Sequence, residues 1–332
     1  KAFVDMKKIT TILVLVMAFS GLKAQDPEFT QFYANKLYLN PAFAGTNGGP
    51  RFSLNYRNQW PSISSAFVTY SASYDQHFDA IGGGIGMQVW HDRAGDGELS
   101  TTVVSGVYSY HLNVTRDFTI KAGLQASAYQ KRIDFGELRF NDQIHPRYGF
   151  IYPTEEPLPS NGEEKIPVFP DFSAGFLGFT DKFYGGFAIH HISEPSQSFY
   201  GNPNSKLPRK FTGHVGMMIP LENVRNPERF ISPNILYQKQ RRFQQFNFGA
   251  YYRHKSFVAG LWFRQTAPNS DALMGLIGFH KDPVKIGYSY DLTVSDARSA
   301  AKGSHEVSLI IELDAKDRQQ VKKWRSLNCP DF

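Results

Sequence analysis

From Arg51 to Leu313, apolar and polar side chains alternate with a period of two in one segment after another, the signature of strands with two unlike faces. In Arg51–Asn58, Phe52, Leu54 and Tyr56 alternate with Arg51, Ser53, Asn55 and Arg57. In Ser65–Asp75, the residues Ala66, Val68, Tyr70, Ala72 and Tyr74 share a face, and Phe118, Ile120, Ala122, Leu124, Ala126 and Ala128 do so further on. Val284, Ile286, Tyr288 and Tyr290 form another such face, as do His305, Val307, Leu309, Ile311 and Leu313. Helical spacing fits none of these. Weaker strand patterns cover Gly82–Trp90, Thr101–His111, Asp171–Phe179, Phe183–His191, Lys210–Ile219, Phe230–Gln238, Arg242–Arg253, Ser256–Gln265 and Ala272–Phe279. Together they make about 14 strands of roughly ten residues, the size of a bacterial outer-membrane barrel.

The connections sort by parity. Every second one is short: Gln76–Ile81, Leu112–Asp117, Thr180–Lys182, Pro220–Arg229, His254–Lys255 and His280–Pro283. The long ones, Lys131–Pro170, Ile192–Arg209 and Leu292–Gly303, all fall in the other set. Short turns on one side and long loops on the other are the outer-membrane pattern, and a soluble sandwich has no reason to produce it. The expected fold is an all-β transmembrane antiparallel up-and-down barrel over residues 50–313, with an even strand count that leaves both termini periplasmic.

The ends read differently. Met6-Lys7-Lys8, the apolar run Ile9–Phe19 and Gly21-Leu22-Lys23-Ala24 predict a signal peptide over residues 1–24, cut after Ala24. Residues 25–49 hold a stretch with helical potential, Phe29–Leu39, followed by Asn40-Pro41-Ala42-Phe43-Ala44-Gly45. Phe29, Phe32, Tyr33, Tyr38 and Phe43 make this segment too aromatic to stay in water, so it is expected to plug the barrel. Residues 314–332 form a short periplasmic tail. Mean hydropathy is −0.37, which suits a barrel whose strands are half polar. The net charge of +6 comes from scattered residues with no basic tract longer than Lys322-Lys323, so no nucleic-acid partner is indicated. The single cysteine, Cys329, excludes an internal disulfide framework and any multi-cysteine metal site.

Candidate chemistry is sparse. Gly82-Gly83-Gly84-Ile85-Gly86 matches neither a dinucleotide fingerprint nor a P-loop, and such glycines in a strand serve close packing instead. His190 and His191 are neighbours on a strand, expected to point to opposite faces and so not to share a metal. Asp92, Asp96 and Glu98 could offer oxygens to calcium, although a solvated acidic loop explains them as well. No spacing singles out a nucleophile and base. No catalytic residue, metal or cofactor is assigned.

A family resemblance lies at both ends. Gln25-Asp26-Pro27-Glu28-Phe29-Thr30-Gln31-Phe32, Leu39-Asn40-Pro41-Ala42-Phe43-Ala44-Gly45 and Tyr56-Arg57-Asn58-Gln59-Trp60 resemble the opening of the PorP/SprF family. Gly287-Tyr288-Ser289-Tyr290-Asp291, with Gly303-Ser304-His305-Glu306, resembles its last hairpin, and Cys329-Pro330-Asp331-Phe332 its ending. The resemblance implies a non-enzymatic outer-membrane role in type IX secretion and, in some bacteria, gliding motility. The partners it implies are the secretion machinery, outer-membrane lipid and the C-terminal sorting domain of a large secreted adhesin held at the surface. A core-machinery barrel or a passive pore is the alternative. The motif positions expected to bind the partner or form the plug are Phe29, Phe32, Asn40, Pro41, Phe43, Gly45, Arg57, Trp60, Tyr290, Asp291, His305 and Glu306.

Overall fold

The computed structural model describes residues 26–62, 67–95, 99–115, 117–136, 138–155, 163–199, 205–222, 224, 227–266, 270–294 and 303–314. The expected leader, the tail beyond Asp314 with Cys329, and the loop carboxylates Asp96 and Glu98 lie outside the described residues.

Fourteen long strands follow one another: β1 (Arg51–Gln59), β2 (Phe67–Phe78), β3 (Gly83–Ala94), β4 (Leu99–Asn113), β5 (Thr119–Asp134), β6 (Phe169–Phe179), β7 (Phe183–His190), β8 (Lys210–Met217), β9 (Arg229–Gln240), β10 (Phe243–His254), β11 (Phe257–Thr266), β12 (Ser270–Lys281), β13 (Val284–Thr293) and β14 (Ser304–Glu312). Each pairs antiparallel with its neighbour in sequence, and β14 closes the ring on β1 in the register Arg51↔Glu312 to Gln59↔Ser304. Closure leaves no strand edge facing lipid, which is the condition for a sheet to sit in a membrane. Each of the fourteen segments expected from alternation coincides, over its described residues, with one of these strands; Ser65 and Ala66 of the second lie outside the described residues. Within the long connection after β5, Ile144–His145 and Gly149–Phe150 pair as a small separate hairpin, and Glu163–Lys165 extends the pairing of β5.

Alternation sets the two faces. Along β5, Leu124 is 65% exposed while its neighbour Gln125 is 9% exposed. Outward residues such as Leu54, Met87, Leu124, Phe172, Ile235, Leu261 and Ile277 are exposed only in the sense that lipid would cover them. Charged residues on the strands, including Arg51, Arg57, Asp75, Lys121, Asp171, Arg264, Lys285, Asp291 and Glu306, turn inward and are buried.

The lumen has two unlike walls. Leu177, Phe179, Tyr184, Leu236, Tyr251, Trp262, Met274 and Leu276, on β6, β7 and β9–β12, form a continuous apolar surface with Phe32, Tyr33, Leu39 and Phe43 of the N-terminal segment. The opposite wall, β13–β14 and β1–β5, presents buried charges, serines and glutamines. A barrel of this size encloses space that side chains alone do not fill, and the N-terminal segment occupies it.

Leu124→Arg is expected to impair assembly, because an arginine near the midplane on the lipid face costs about 2–4 kcal/mol. Gln125→Arg, pointing into the polar half of the lumen, is expected to retain a folded barrel. Heat-modifiable mobility on gels separates the two, and equal loss in both would reverse the assignment of faces.

Candidate functional site

The segment before β1 runs the length of the lumen. Of the stretch with helical potential, Phe29–Leu39, one short turn, α1 (Lys36–Leu39), is α-helical, followed by a 3-10 turn at Pro41–Phe43. The barrel wall competes for its backbone. Thr30 and Gln31 donate their N–H groups to Glu306 at 2.6 and 3.0 Å. Gly45 donates to Asp75 at 2.7 Å, and the Ala44 carbonyl accepts from Lys121 (2.6 Å) and Ser109 (2.7 Å). Backbone groups before and after the short helical turn are thus satisfied by inward side chains.

At the short-turn end, Arg51 pairs with Asp75 at 2.9 Å beside Gly45. Further up, the Asn40 side chain accepts from the N–H of Ala42 at 2.9 Å and donates to the Phe176 carbonyl at 3.0 Å, pinning Pro41. Phe43 stacks on His214, with centroids 5.3 Å apart, and Phe32 meets Trp262 edge-on at 4.8 Å. Wall glycines make this possible. A Cβ at Gly84 would lie 2.2 Å from the Ala44 carbonyl oxygen, and one at Gly123 would lie 2.3 Å from the Ala42 nitrogen. The glycine-rich run of β3 therefore serves close packing, as its sequence suggested.

Above this lies an ion cluster. Arg57 reaches Asp291 at 2.9 Å and Glu306 at 3.1 Å, and Arg264 reaches Asp291 at 3.4 Å, all of them buried. Thr30 donates its hydroxyl to Asp291 at 2.7 Å. The Gln31 amide donates to Ser289 (3.1 Å) and accepts from Ser308 (2.6 Å). Two strands of the last hairpin, β1 and the N-terminal segment are thus tied through one set of charges.

At the end with the long loops, Asp26 accepts from His191 at 2.7 Å and lies 3.9 Å from Lys210, while Asp171 holds the other ring nitrogen of His191 at 2.8 Å. The expectation that His190 and His191 face opposite ways fails here. The strand stops at His190, and His191 takes a left-handed φ of 58°, which swings its ring back inward. Burial disfavours the His191 cation, but the Asp26 carboxylate and the hydrogen bonds that the ring donates to Asp171 and Asp26 push its pKa up to about 9. Burial opposes ionisation of Asp26 as well, and His191 outweighs it, holding the carboxyl below the usual range. No group of three or more His, Cys, Asp or Glu arranged for a metal occurs among the described residues.

Most of the twelve motif positions converge. Phe29, Phe32, Asn40, Pro41, Phe43 and Gly45 are buried in the lumen, and Arg57, Asp291 and Glu306 form the cluster that grips them. Trp60 lies at the outer end of β1. Tyr290 and His305 do not join the site: their rings meet at a tilt, centroids 5.0 Å apart, on the outside of the wall, where the pleat puts the neighbours of Asp291 and Glu306. Asp26 lies in the opening motif but was not singled out within it, and Asp75, Asp171, His191 and Arg264 belong to the arrangement but carry no local motif. Their only trace in the sequence is a charge at an inward position of the alternation.

Above Asp26–Glu28 the lumen opens into a chamber of about 530 Å³ at the long-loop end. Its floor is Asp26, Pro27, Glu28, Arg57 and Arg264, and its walls include Trp60, Phe67, Trp90, Asp92 and Phe243. Ile166, Phe199 and Leu207 of the long connections fold over Tyr38, Trp90 and Tyr129 and roof one side.

A closed fourteen-strand barrel with lipid-facing apolar surface and a lumen filled by its own N-terminal segment is an integral outer-membrane protein. The chain matches the family model described as type IX secretion system membrane protein PorP/SprF over residues 21–311, and it belongs to that family. It is an outer-membrane component of type IX secretion. Among solved structures it is similar to the toluene transporter TodX of P. putida, with 10% identity, a TM-score of 0.51, and 83% of this chain and 93% of that one covered. It is also similar to the outer membrane protein Omp33 of Acinetobacter baumannii, with 9% identity, a TM-score of 0.45, and 80% and 99% covered. At such identities the likeness to TodX extends to the fold alone. No curated protein shows significant similarity to the chain.

Arg57→Met leaves Asp291 and Glu306 buried with less compensation and is expected to cost about 3–5 kcal/mol. Gly123→Val drives a side chain into the Ala42 backbone. In both variants residues 26–46 should become cleavable by added protease, and their continued resistance would show that the segment is held by other means. The Asp26–His191 contact should also depend on pH. His191, whose folded-state value lies above its ordinary 6.5, contributes fully below that value and loses its contribution as pH rises through about 9. Asp26, depressed below 3.8, contributes above that value and loses its contribution as pH falls. A spin label near Glu28 should be immobile at neutral pH and gain mobility above about pH 9. Mobility that does not change with pH would remove the contact from the account.

Proposed function

We propose that this barrel is a receptor that holds a secreted adhesin at the cell surface by binding its C-terminal sorting domain. The long-loop end faces outward, and the first and last strands begin and end on the periplasmic side. The observation that carries this reading is the one-ended lumen: Tyr33, Ala42, Phe43 and Ala44 are at most 1% exposed in its interior, while a chamber opens beneath the long loops. A passive pore needs a continuous aqueous path, and a plug locked by buried ion pairs works against one. A binding protein needs a pocket and an exposed rim.

The rim supports the reading too. In the connection after β5, Ile144, Tyr148, Phe150, Ile151 and Tyr152 are all exposed, with Arg139 over Phe150 and Arg147 over Tyr148. Apolar groups clustered in this way outside the lipid belt mark interaction surfaces. The process is binding and retention without chemical turnover, and the receptor serves a dedicated partner rather than the core machinery.

Deletion of the gene should leave one large secreted protein missing from the surface and released into the medium, while other type IX substrates are exported normally. Loss of all substrates would make the protein a core component. Unchanged secretion and attachment of every substrate would refute the receptor.

A further inference from the structure

Inward-facing carboxylates of the lumen follow a rule with two exceptions. Asp75 is paired with Arg51, Asp171 with His191, Asp291 with Arg57 and Arg264, Glu306 with Arg57, Glu312 with Lys285, and Asp26 with His191 and Lys210. Among the described residues Glu28 and Asp92 have no ion pair. Asp92 accepts only the Thr69 hydroxyl, at 2.6 Å. Both line the outer chamber.

The cations that border the chamber do not balance them. Arg57 and Arg264 are taken by the acids beneath the floor. Lys131 donates to the Gln197 amide and stands within ion-pair distance of neither carboxylate. What faces the cavity is two uncommitted carboxylates against one ammonium, in a protein whose net charge is +6. Beside them stand aromatic faces. Trp60 and Phe67 meet edge-on with centroids 5.6 Å apart, and Phe243 and Trp90 complete the wall. Carboxylates and aromatic rings that line one confined space attract a cation twice over, through charge and through the ring quadrupoles, and the lowered dielectric strengthens both. Membrane lipid does not reach this space, because the closed wall lies between them.

We infer that the outer chamber recognises a positively charged side chain, an arginine or lysine presented on a loop of a polypeptide partner. The inference rests on the receptor reading above and adds the chemistry by which the partner is recognised: a basic finger enters the mouth, its cation meets Glu28 and Asp92, and its stem packs on Trp60, Phe67 and Phe243.

The test uses the full-length barrel purified in detergent and follows tryptophan fluorescence, since Trp60 and Trp90 line the cavity. The probes are capped tripeptides Gly-Arg-Gly, Gly-Ala-Gly and Gly-Glu-Gly, and the neutral sugar maltohexaose. The arginine peptide is expected to give a saturable change that weakens with salt and is about tenfold weaker in Glu28→Gln/Asp92→Asn, with that variant still heat-modifiable. Trp60→Phe should remove most of the signal. Equal responses to the arginine and glutamate peptides, no response to any peptide, or a response to the sugar alone would overturn the inference. Adhesin retention, measured separately in cells, distinguishes the two readings. Adhesin lost on gene deletion, with no peptide selectivity, leaves the receptor standing and removes the basic finger. Selective peptide binding with adhesin retained after deletion does the reverse.

Discussion

Arg57 sets the terms on which this barrel exists. Its guanidinium is 2% exposed inside a closed wall, where an unpaired charge would cost several kcal/mol. Asp291 and Glu306 offset that cost, but the two acids bring more acceptor capacity than arginines can fill, and the remainder goes to the Thr30 hydroxyl and the N–H groups of Thr30 and Gln31. None of the three elements is satisfied alone. β1 supplies the cation, the last hairpin the anions and the N-terminal segment the remaining donors. The position of Pro27 and Glu28, and with them the floor of the outer chamber, follows from that anchorage.

The plug fits because its two sides differ in the same way as the two walls. Phe32, Tyr33, Leu39 and Phe43 turn to the apolar arc, and Thr30, Gln31 and Gly45 meet the polar arc. Rotating the segment within the lumen would put aromatic rings against buried charges and leave hydrogen-bond donors against leucines. A single orientation is thereby favoured without extended secondary structure in the segment itself, which forms one helical turn.

Fold and site were legible to different depths. Alternation is a local property, so the strands, their faces and even the exposure of Leu124 against Gln125 could be read residue by residue. Arg57, Asp291 and Glu306 were found because they sit in the opening and closing motifs of the family. Tyr290 and His305 sit in the same motifs, and only the pleat separates them from the site. Asp26 and His191 could not be matched in advance. They lie 165 positions apart, and their contact needs a left-handed residue just past a strand end, which no periodicity announces.

One consequence concerns the order of events during biogenesis. The plug precedes the first strand, and two of its anchors, Asp291 and Glu306, arrive on the last two. Until β14 meets β1, the seam is open and Arg57 faces a half-built cavity without its anions. Zipping the seam and seating the plug are therefore a single step in time. A growing barrel held open by an assembly machine would carry its N-terminal segment unsecured until the final hairpin docks, so registration of that hairpin acts as a checkpoint for the interior as well as for the wall.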